Sequence, residues 1–412
     1  MQGSKITAPD LKKFDTEISL PFSKSESNRA LIINALSGNV CTIENLSDAD
    51  DTVLLKRLLS SNSNEINCEN AGTVLRFLTT YYCITQQEKI ITGNERMQQR
   101  PIGKLVDALK TLGADITYLK EDGFPPVKVK PAALNKTNKV IIDASESSQF
   151  VSALMMMAPI LNKGLEIALT GEVSSQPYIA MTAQMMQQAG IKATLSGKKI
   201  SIKKQNFTAT HFKINSDWSS AAFMYEIAAL SDESEILINN LTPNDLQGDE
   251  VVKEIFKSFG VTTSVAKEGL IIKKSKQIEP DYFTFNFNNT PDLALPVAAT
   301  CGGLNIVSDL HGLKNLVIKE SNRAYAFQRE AYKLNIKTDF CDFSKLKILE
   351  RSQIQSTQKV IKTYNDHRMA MSFAPLALQT DYIEIDDAEC VSKSFPNYFD
   401  VLKHLGFKLV KQ

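Results

Sequence analysis

The strongest constraint on the fold of this chain is a polar cluster that recurs along it, each time directly before an apolar, helix-like segment. The clusters begin at Lys24, Asn70, Ser147, Asp217, Asp292 and Thr363. The intervals are 76, 69, 75 and 74 residues between the landmarks Gly72, Ser148, Asp217, Asp292 and Asp366. The first interval, from Lys24 to Gly72, is shorter, at 48 residues. Regular spacing of helix starts predicts a repeated structural unit.

The residue types at these starts also predict a kind of binding. Ser, Thr, Asn, Asp and Gly leave backbone N–H groups beside the positive end of a helix dipole. Because such helix starts bind anions, the repeat predicts an anion-binding arrangement that is used several times in one protein.

A second periodic signal is a helix-like segment that ends in a turn-forming residue and precedes a short strand. The turn-forming residues lie 77, 70, 75 and 71 residues apart and are Gly113, Gly190, Gly260, Asn335 and Gly406. Gly or Asn is what a left-handed helix C-cap requires. A weaker copy, VLLKRLLSSNSN, lies near residue 60. Six units of roughly 70 residues therefore account for the whole chain.

The length of the chain predicts more than one domain. At 412 residues it exceeds the usual size of a single hydrophobic core, so we expect two domains with three units each. Each unit is expected to hold a buried helix, a more amphipathic helix and flanking strands, which is an α/β (α+β) class of fold.

Charge and hydrophobicity exclude several classes of partner. The formal net charge is +1, so no global field draws the chain to nucleic acid or to an anionic membrane. No apolar run approaches the roughly 20 residues that span a bilayer, and the first residues lack the apolar core of a secretory signal. We therefore expect a cytoplasmic protein.

The sequence also offers no sign of a metal or cofactor. The six cysteines are scattered without a CxxC pair, and we expect them to be reduced and mostly buried. The four histidines lie far apart, which makes a zinc site improbable. Neither a GxxxxGK[ST] nor a GxGxxG motif is present, so we expect no nucleotide cofactor.

The first polar cluster follows the strand-like segment EISLPF and opens a helix. We expect Lys24 and Ser25 at the mouth of this helix and Arg29 one turn further in. A helix cap with surface cations explains the same residues equally well, so the motif alone leaves both interpretations open.

Two Pro-started helices carry further polar residues. Arg100 directly precedes Pro101, but a lone Arg-Pro pair is more often structural. The same caution applies to Ser175 and Tyr178, which lie on either side of a second Pro-started helix entry.

An uncharged cluster opens the apolar segment FVSALMMMA. Ser147, Ser148 and Gln149 fit an N-cap followed by a first helical turn. They are also three hydrogen-bonding groups without charge, which suits a polyhydroxylated ligand.

The C-terminal half concentrates charge. Lys319 and Arg323 lie four residues apart and flank Glu320, a spacing that also fits a solvated helix face with an ion pair. Arg368 is expected in the first turn of an apolar helix, where a cation opposes the helix dipole and a bound anion would remove the conflict. Lys393 precedes another helix start.

One acidic residue completes the set. Asp292 follows a Pro and precedes an apolar helix, where a simple N-cap role would explain it. Together the clusters supply seven cations and two carboxylates, a set that fits two anionic small substrates handled by acid–base chemistry without a metal.

In this order, the clusters resemble the enolpyruvyl transferase family, and within it the branch whose acceptor is shikimate 3-phosphate. The resemblance runs from about residue 20 to the C-terminus, and the ordered matches make it far more specific than any one motif. The matching segments are KSxSNRAL at Lys24, NAGTxxR at Asn70, RMxxRPIGxLVDAL at Arg96, SSQF at Ser147, SxPYI at Ser175, DxSSAAF at Asp217, LQGD at Leu246, PDLALPVAA at Pro291, KExxR at Lys319, NDHRMAM at Asn365 and SKSFPxYF at Ser392.

This resemblance implies a two-domain inside-out α/β barrel with six βαβαββ repeats, three per domain. The buried parallel helices of that fold have their N-termini at the interdomain cleft. Carried onto this chain, the N-terminal domain spans residues 21–214, and the C-terminal domain spans residues 1–20 plus 215–412. The segment before residue 16 is placed only as an edge strand.

The family reaction transfers the enolpyruvyl group of phosphoenolpyruvate to the 5-hydroxyl of shikimate 3-phosphate and releases phosphate. The resemblance makes Asp292 the base, Glu320 the acid, and Lys24 a further catalytic group. It assigns shikimate 3-phosphate to Lys24, Ser25, Arg29, Ser147, Ser148, Gln149, Ser175, Tyr178, Asp292, Asn315 and Lys319. It assigns phosphoenolpyruvate to Lys24, Gly72, Arg100, Gln149, Arg323, Arg368 and Lys393. It implies no metal and no cofactor, and we expect a monomer.

Four positions depart from the family pattern without removing a named ligand. Phe22 stands where Gly often precedes the Lys-Ser pair, Phe77 replaces a common Pro, and Ser321-Asn322 replace the usual Thr-Asp. Gly72 is retained, and we take this to imply sensitivity to glyphosate, as a hypothesis.

Two other interpretations stay open. A sister enzyme of the same fold transfers enolpyruvate to UDP-N-acetylglucosamine, but it typically uses a loop Cys in the region of EDGFPPVKVK, which has none. A non-catalytic binding protein on the same repeat should have lost Asp292, Glu320 or Lys24, and all three are present.

Overall fold

The chain forms two compact units in the computed structural model. A continuous unit spans Ser23–Ile214, and a discontinuous unit combines Met1–Phe22 with Asn215–Gln412. The structure describes residues 3–243, 246–274, 280–350, 353–355 and 360–411. The other residues of the predicted C-terminal domain, 1–2, 244–245, 275–279, 351–352, 356–359 and 412, lie outside the described residues.

Helices and strands are interspersed along the described chain. The strands are β1 Ser4–Thr7, β2 Lys13–Ser19, β3 Thr42–Glu44, β4 Glu65–Asn67, β5 Lys89–Thr92, β6 Asp115–Tyr118, β7 Val127–Lys130, β8 Lys139–Asp143, β9 Leu165–Thr170, β10 Ala193–Ser196, β11 Lys199–Ile202, β12 His211–Lys213, β13 Glu233–Asn239, β14 Val261–Val265, β15 Gly269–Lys274, β16 Tyr282–Asn286, β17 Val307–His311, β18 Thr338–Cys341, β19 Lys345–Ile348, β20 Ile383–Ile385 and β21 Lys408–Lys411. The α-helices are α1 Lys24–Leu36, α2 Asp50–Leu59, α3 Gly72–Thr85, α4 Glu95–Gln98, α5 Gly103–Leu112, α6 Ser148–Met157, α7 Gln176–Gln188, α8 Trp218–Leu230, α9 Val252–Lys257, α10 Ala294–Gly303, α11 Arg323–Tyr332, α12 His367–Phe373 and α13 Tyr398–His404. Short 3₁₀ helices span Ala158–Ile160, Gly248–Val251, Pro291–Leu293, Lys314–Ile318, Ala374–Gln379 and Glu389–Lys393.

Four four-stranded sheets share one strand order. In each, the first two strands in chain order are parallel neighbours, and the fourth strand pairs antiparallel with the second and the third. The continuous unit holds the sheets β4-β5-β7-β6 and β8-β9-β11-β10, and the discontinuous unit holds β2-β13-β15-β14 and β16-β17-β19-β18. A buried helix joins most of the parallel pairs, as α6 joins β8 to β9. The result is a mixed α/β fold.

The N-terminal strands lie in the discontinuous unit. β2 pairs in parallel with β13, from Lys13 opposite Glu233 to Ser19 opposite Asn239. β1 lies in the middle of a three-stranded sheet, because it pairs antiparallel with β20 on one side and β21 on the other. The prediction of an edge strand is therefore wrong for β1, whereas β2 does lie at the edge of its sheet.

The predicted turn residues adopt the left-handed conformation. Their φ angles are 115°, 81°, 80°, 62° and 89° for Gly113, Gly190, Gly260, Asn335 and Gly406. Each follows a helix and precedes a short strand of the same unit, namely β6, β10, β14, β18 and β21. This part of the sequence prediction is confirmed.

The helices that follow the polar clusters are the most deeply buried elements. All thirteen residues of α8 and all ten of α10 are buried. All six cysteines are free thiols, buried except for the partly exposed Cys341, as predicted. Within the described residues, no helix is both long enough and apolar enough to cross a bilayer.

Candidate functional site

Arg323 forms the centre of a charged cluster in the discontinuous unit. Its Nη1 lies 2.9 Å from Asp292 Oδ1, and its Nη2 lies 2.8 Å from Glu320 Oε2. Its Nε and Nη2 also bind both oxygens of Asp366, at 2.9 and 3.2 Å. Only 2% of the Arg323 side chain is exposed, so one buried guanidinium neutralises part of the charge of three carboxylates. We call Asp292, Lys319, Glu320, Arg323, Asp366 and Arg368 the carboxylate–arginine cluster.

Asp292 binds two further cations of this cluster. Its Oδ2 lies 3.2 Å from Arg368 Nη2, and its backbone oxygen accepts a hydrogen bond of 3.0 Å from Arg368 Nη1. Lys319 Nζ lies 3.9 Å from Asp292 Oδ1. Asp292 is not an N-cap: it lies inside the 3₁₀ helix Pro291–Leu293, which leads into α10. The simple capping interpretation of this residue is therefore wrong.

The cations control the ionisation of Asp292. Burial raises its pKa, but the charges of Arg368, Lys319 and Arg323 outweigh burial and hold the pKa well below the usual range. Burial likewise disfavours the charged form of Arg323, and its three carboxylate partners outweigh that effect and raise its pKa. With no substrate bound, Asp292 is therefore a stable carboxylate with little tendency to take up a proton.

Two helix starts position the cluster. Arg323 is the first residue of α11, whose N-cap Asn322 accepts a hydrogen bond from the backbone N–H of Tyr325. Lys319 lies outside this helix in extended backbone, so the predicted helical pair of Lys319 and Arg323 is wrong. The two cations meet because both contact Asp292.

Arg368 lies in the first turn of α12, as predicted. Asp366 is the N-cap of this helix and accepts a hydrogen bond of 3.1 Å from the backbone N–H of Arg368. Asp366 also accepts one from Ser321 Oγ at 2.9 Å. In the sequence, Asp366 stands out only as a landmark of the repeat, although an N-cap Asp two residues before an Arg could have indicated its role.

Asp249 is a second buried carboxyl group that the sequence analysis did not assign. It lies in the 3₁₀ helix Gly248–Val251 and accepts a hydrogen bond from Ser219 Oγ. Burial and the charge of Asp292 raise the pKa of Asp249 to about 7. Its position in the LQGD segment was the available signal.

Two predicted ligands of the same unit lie on 3₁₀ helices. Asn315 lies in Lys314–Ile318 and is buried, and Lys393 ends Glu389–Lys393 and is also buried. Their burial is compatible with ligands that are covered when a substrate binds.

Arg29 is a buried cation in the continuous unit. Its Nε donates to Thr182 Oγ1 at 2.8 Å, and its Nη atoms donate to Ser152 Oγ and to the carbonyl oxygens of Ser25 and Tyr178. All four acceptors are neutral. Burial lowers the pKa of Arg29 to about 10, so the side chain stays charged at neutral pH. A buried cation surrounded by neutral acceptors is a site that favours an anion.

Lys24, at the first position of α1, pairs with a carboxylate that sequence analysis missed. Its Nζ lies 3.3 Å from Asp51 Oδ2, and the Asp51 side chain is 6% exposed. Asp51 lies in the first turn of α2, where an acidic residue is ordinarily a response to the helix dipole. Because the helix dipole already explains an acidic residue at this position, the sequence did not indicate that Asp51 also pairs with Lys24.

Gly72 begins α3, and two guanidinium groups approach it. A Cβ atom at this position would lie 2.4 Å from Arg76 Nη1 and 2.7 Å from Arg100 Nη2. Glycine is thus the residue that fits. Arg100 Nη1 also donates to the Asn70 carbonyl oxygen at 3.4 Å. Two cations at a helix N-terminus oppose the dipole, which again favours an anion.

Arg76 fixes the side-chain amide of Gln149. Its Nη1 donates to Gln149 Oε1 at 2.8 Å, and Gln149 Nε2 donates to Thr73 Oγ1 at 2.9 Å. Arg76 is buried, and it was not among the predicted ligands. It lies four residues after Gly72 in NAGTVLR, a spacing that could have indicated it.

The hydroxyl-bearing residues open two helices. Ser147 is the N-cap of α6 and accepts a hydrogen bond from the Gln149 backbone N–H, while Ser148 is the first residue of that helix. Ser175 is the N-cap of α7 with a positive φ of 54°, and its carbonyl oxygen accepts a hydrogen bond from the Tyr178 backbone N–H. α5 begins at Gly103, two residues after the predicted start at Pro101, because Ile102 is its N-cap.

The predicted residues therefore fall into two sets. Asp292, Lys319, Glu320, Arg323 and Arg368 contact one another in the discontinuous unit, and Arg29 contacts Ser25 and Tyr178 in the continuous unit. A depression of ≈ 290 Å³ beside α11 and β18 is lined by none of the predicted ligands. Among the described residues, no group of three His, Cys, Asp or Glu could hold a metal ion.

Comparison with known proteins identifies a family. The family described as EPSP synthase (3-phosphoshikimate 1-carboxyvinyltransferase) matches residues 53–402 of this chain. A 3-phosphoshikimate 1-carboxyvinyltransferase from Bacteroides fragilis is 42% identical over 407 residues, which cover 98% of this chain and 97% of that relative. One from Vibrio campbellii is 32% identical over 432 residues, which cover 97% of this chain and 99% of that relative.

Solved structures show the same fold. An EPSP synthase from Acinetobacter baumannii superimposes with a TM-score of 0.77 at 19% sequence identity, with 100% of both chains covered. A second structure of an EPSP synthase from that organism gives a TM-score of 0.75 at 18% identity. These similarities extend over the whole length of both proteins.

Proposed function

We propose that this chain, which belongs to the EPSP synthase (3-phosphoshikimate 1-carboxyvinyltransferase) family, transfers the enolpyruvyl group of phosphoenolpyruvate to the 5-hydroxyl of shikimate 3-phosphate and releases phosphate. One observation carries the proposal. Two carboxylates suited to acid–base chemistry, Asp292 and Glu320, bind the same buried guanidinium of Arg323. The reaction needs a base for the acceptor hydroxyl and an acid for the enol carbon.

The proposed ligands of shikimate 3-phosphate are mostly in the continuous unit. Arg29 provides a buried charge without a carboxylate among its hydrogen-bond acceptors, which favours the substrate phosphate or its carboxylate. The remaining ligands offer hydroxyl, amide, ammonium and carboxylate groups and are Lys24, Ser25, Ser147, Ser148, Gln149, Ser175, Tyr178, Asp292, Asn315 and Lys319.

The proposed ligands of phosphoenolpyruvate are mainly cations. Arg100 approaches the start of α3 at Gly72, and Arg368 lies at the start of α12, so each is placed where a bound anion relieves a conflict with the helix dipole. The whole set is Lys24, Gly72, Arg100, Gln149, Arg323, Arg368 and Lys393.

Asp292 acts as the base in this proposal. Its low pKa in the absence of substrate makes it a weak base, because Arg368, Lys319 and Arg323 stabilise its charge. An anionic substrate that binds Arg368 and Lys319 competes for those charges and raises the pKa of Asp292. Substrate binding thereby turns a stable carboxylate into a group that can accept the proton of the 5-hydroxyl.

Glu320 acts as the acid that protonates the methylene carbon of phosphoenolpyruvate. Protonation develops positive charge at the neighbouring carbon, and the deprotonated hydroxyl then attacks it to give a tetrahedral intermediate. The methyl group then loses a proton as the C–O bond to phosphate breaks, which restores the C=C bond, and Lys24 assists the departure of phosphate by stabilising its charge. Holding the two substrates in reacting geometry supplies a large part of the acceleration.

We propose an inside-out barrel of six βαβαββ repeats, three in residues 21–214 and three in residues 1–20 plus 215–412. We also propose a cytoplasmic monomer that needs no cofactor. The mixed α/β fold and the shared order of four sheets support the repeat.

Phosphate release with both substrates tests the function. We expect wild-type protein to release phosphate only when phosphoenolpyruvate and shikimate 3-phosphate are both present, and Asp292→Asn to lower the rate at least about 100-fold. Asp400→Asn, at an exposed carboxylate of α13, is the matched control and should leave the rate unchanged. Absence of release by the wild type would refute the proposal, and release with UDP-N-acetylglucosamine as the acceptor would favour the sister activity.

A further inference from the structure

A strained turn directly precedes the helix that carries Arg368. Its central residues Tyr364 and Asn365 have φ angles of 56° and 53°, and the Asp366 N–H donates to the Thr363 carbonyl oxygen at 3.0 Å. Turns with positive φ at both central positions favour Gly, Asn and Asp. A bulky Tyr at the first of these positions is an outlier, since its Cβ crowds the backbone. Something in the structure must therefore hold this turn.

Asp386 accepts hydrogen bonds of 2.8 Å from the backbone N–H and the hydroxyl of Thr363, the first residue of the turn. The group that holds the strained residue Tyr364 is Glu330 of α11. Its side chain is fully buried, and its Oε1 accepts a hydrogen bond of 2.7 Å from the Tyr364 hydroxyl. Its Oε2 accepts one of 2.8 Å from the Lys362 backbone N–H, and Lys333 Nζ pairs with the same oxygen. Burial and the hydrogen bond to Glu330 raise the pKa of Tyr364, so its hydroxyl keeps the proton that it donates.

The same helix also binds the far end of the turn. Arg323 and Glu330 lie seven residues apart on α11, which places both side chains on one face of the helix. Arg323 binds Asp366 directly after the turn, and Glu330 binds Tyr364 within it. α11 thus contacts the segment at two points, and the segment continues directly into Arg368.

We propose that Glu330 and Tyr364 are positioning residues for Arg368, because their hydrogen bond holds the left-handed turn from which α12 starts. Neither residue touches a substrate in this account. Without the bond, the turn relaxes toward negative φ, the start of α12 shifts, and Arg368 leaves the place where it meets Asp292. The inference rests on the proposed function, in which Arg368 binds phosphoenolpyruvate.

Two substitutions that each change one polar group test whether the Glu330–Tyr364 hydrogen bond positions Arg368. Tyr364→Phe removes only the hydroxyl, and Glu330→Gln keeps the shape of the side chain while removing its charge. We expect each to raise the KM for phosphoenolpyruvate about five- to tenfold, with the KM for shikimate 3-phosphate changed less than twofold. The double variant should be no worse than the more affected single variant, because both changes weaken the same Glu330–Tyr364 hydrogen bond. Tyr332→Phe, at an exposed Tyr of α11, is the control and should behave as wild type.

A second pair of variants separates strain from packing. Tyr364→Ala loses the hydrogen bond but keeps a side chain at positive φ, whereas Tyr364→Gly loses the bond and the strain together. We expect the Ala variant to have the higher KM for phosphoenolpyruvate, by at least threefold. An equal or higher KM for the Gly variant would mean that the ring only fills space, and it would overturn the proposal.

The remaining outcomes are also decisive. Unchanged KM values in both single-atom variants would overturn the proposal. A variant with a lower kcat, a raised KM for both substrates and a lower melting temperature would also overturn it, because such a general defect indicates a structural role only. Wild-type protein is assayed in parallel. If the wild type releases no phosphate, the proposed function fails; if it is active and the variants match it, only the positioning role fails.

Discussion

Asp249 shows how one buried carboxyl group alters the pH dependence of stability. Its pKa is raised to about 7 in the folded protein by burial and by Asp292, whereas an ordinary Asp has the value 3.8. Between these two values the folded protein holds a proton that the unfolded chain has lost. The contribution of Asp249 to stability is therefore present at low pH and decreases as the pH rises from about 4 to about 7.

We expect Asp249→Asn to remove this decrease. Relative to the variant, wild-type protein should lose about 2–4 kcal/mol of stability between pH 4.5 and pH 8, at about 1.4 kcal/mol for each unit of the pKa difference. Urea unfolding at several pH values measures it, with the exposed Asp400→Asn as the control. An unchanged difference between wild type and variant across that range would contradict the raised pKa.

Arg323 supports the cluster through its planar fork of donors. Lys in its place offers one ammonium group, which cannot serve Asp292, Glu320 and Asp366 together. We expect Arg323→Lys to lower phosphate release at least about 100-fold and to destabilise the discontinuous unit by about 3–5 kcal/mol, because buried carboxylates are left unpaired. Arg329→Lys, at an exposed Arg of the same helix, should change neither quantity. Wild-type activity in Arg323→Lys would rule out the central role.

At the scale of elements, helix starts and helix ends were predictable because single residue types mark them. Asp217 and Asp366 are N-caps, and the five turn residues after helices have positive φ. The site could be predicted less completely. Lys319 and Arg323 share the spacing of a helical pair, but the N-cap at Asn322 starts α11 between them. Local spacing cannot show that both meet Asp292, which is distant in sequence.

The partners that hold the ligands were missed for a related reason. Asp51, Arg76, Asp249 and Glu330 act through contacts with residues that are distant in sequence. A charged residue in a helical sequence is usually exposed, so its type alone does not indicate burial. Only the packing of elements shows which charges are covered.

Two glycines of the continuous unit allow the helix ends to be tested. At Gly113, φ is 115° and a Cβ atom would lie 2.6 Å from the Ala133 carbonyl oxygen. At Gly38, after α1, φ is 80° and nothing lies within 4 Å. Gly38→Ala should therefore lower the free energy of unfolding by about 1 kcal/mol, through the backbone conformation alone. Gly113→Ala should lower it by at least about 1 kcal/mol more, because of the close contact. Thermal unfolding measures both, and equal losses would refute the close contact.

At the scale of the whole molecule, the continuous unit contains most of the proposed ligands of shikimate 3-phosphate. We expect a fragment of residues 23–214 to unfold cooperatively and to bind shikimate 3-phosphate, about 10- to 100-fold more weakly than the full chain. The weaker binding follows from the loss of Asp292, Asn315 and Lys319. Calorimetric titration measures it, and Arg29→Gln in the fragment should abolish it. A folded fragment without affinity, beside a full chain that binds, would contradict this division of ligands.

The family of the chain was predictable from ordered motifs, and the similarity to 3-phosphoshikimate 1-carboxyvinyltransferases confirms it. A long series of motifs is informative because each carries a different local requirement. The place of β1 was not predictable, since its four residues SKIT have no pattern that distinguishes a central strand from an edge strand. Its position follows from β20 and β21, which lie at the other end of the sequence.

The pairing of β2 with β13 has a consequence for synthesis. On a translating ribosome, Lys13–Ser19 emerges long before Glu233–Asn239, which follows more than half of the chain later. At about 5–20 residues per second, the nascent strand waits tens of seconds for its neighbour. During that wait the residues between them, 23–214, can complete their own structure. A strand without its pairing partner can pair with a strand of another chain and aggregate. A chaperone that covers β2 would therefore be most useful during this interval.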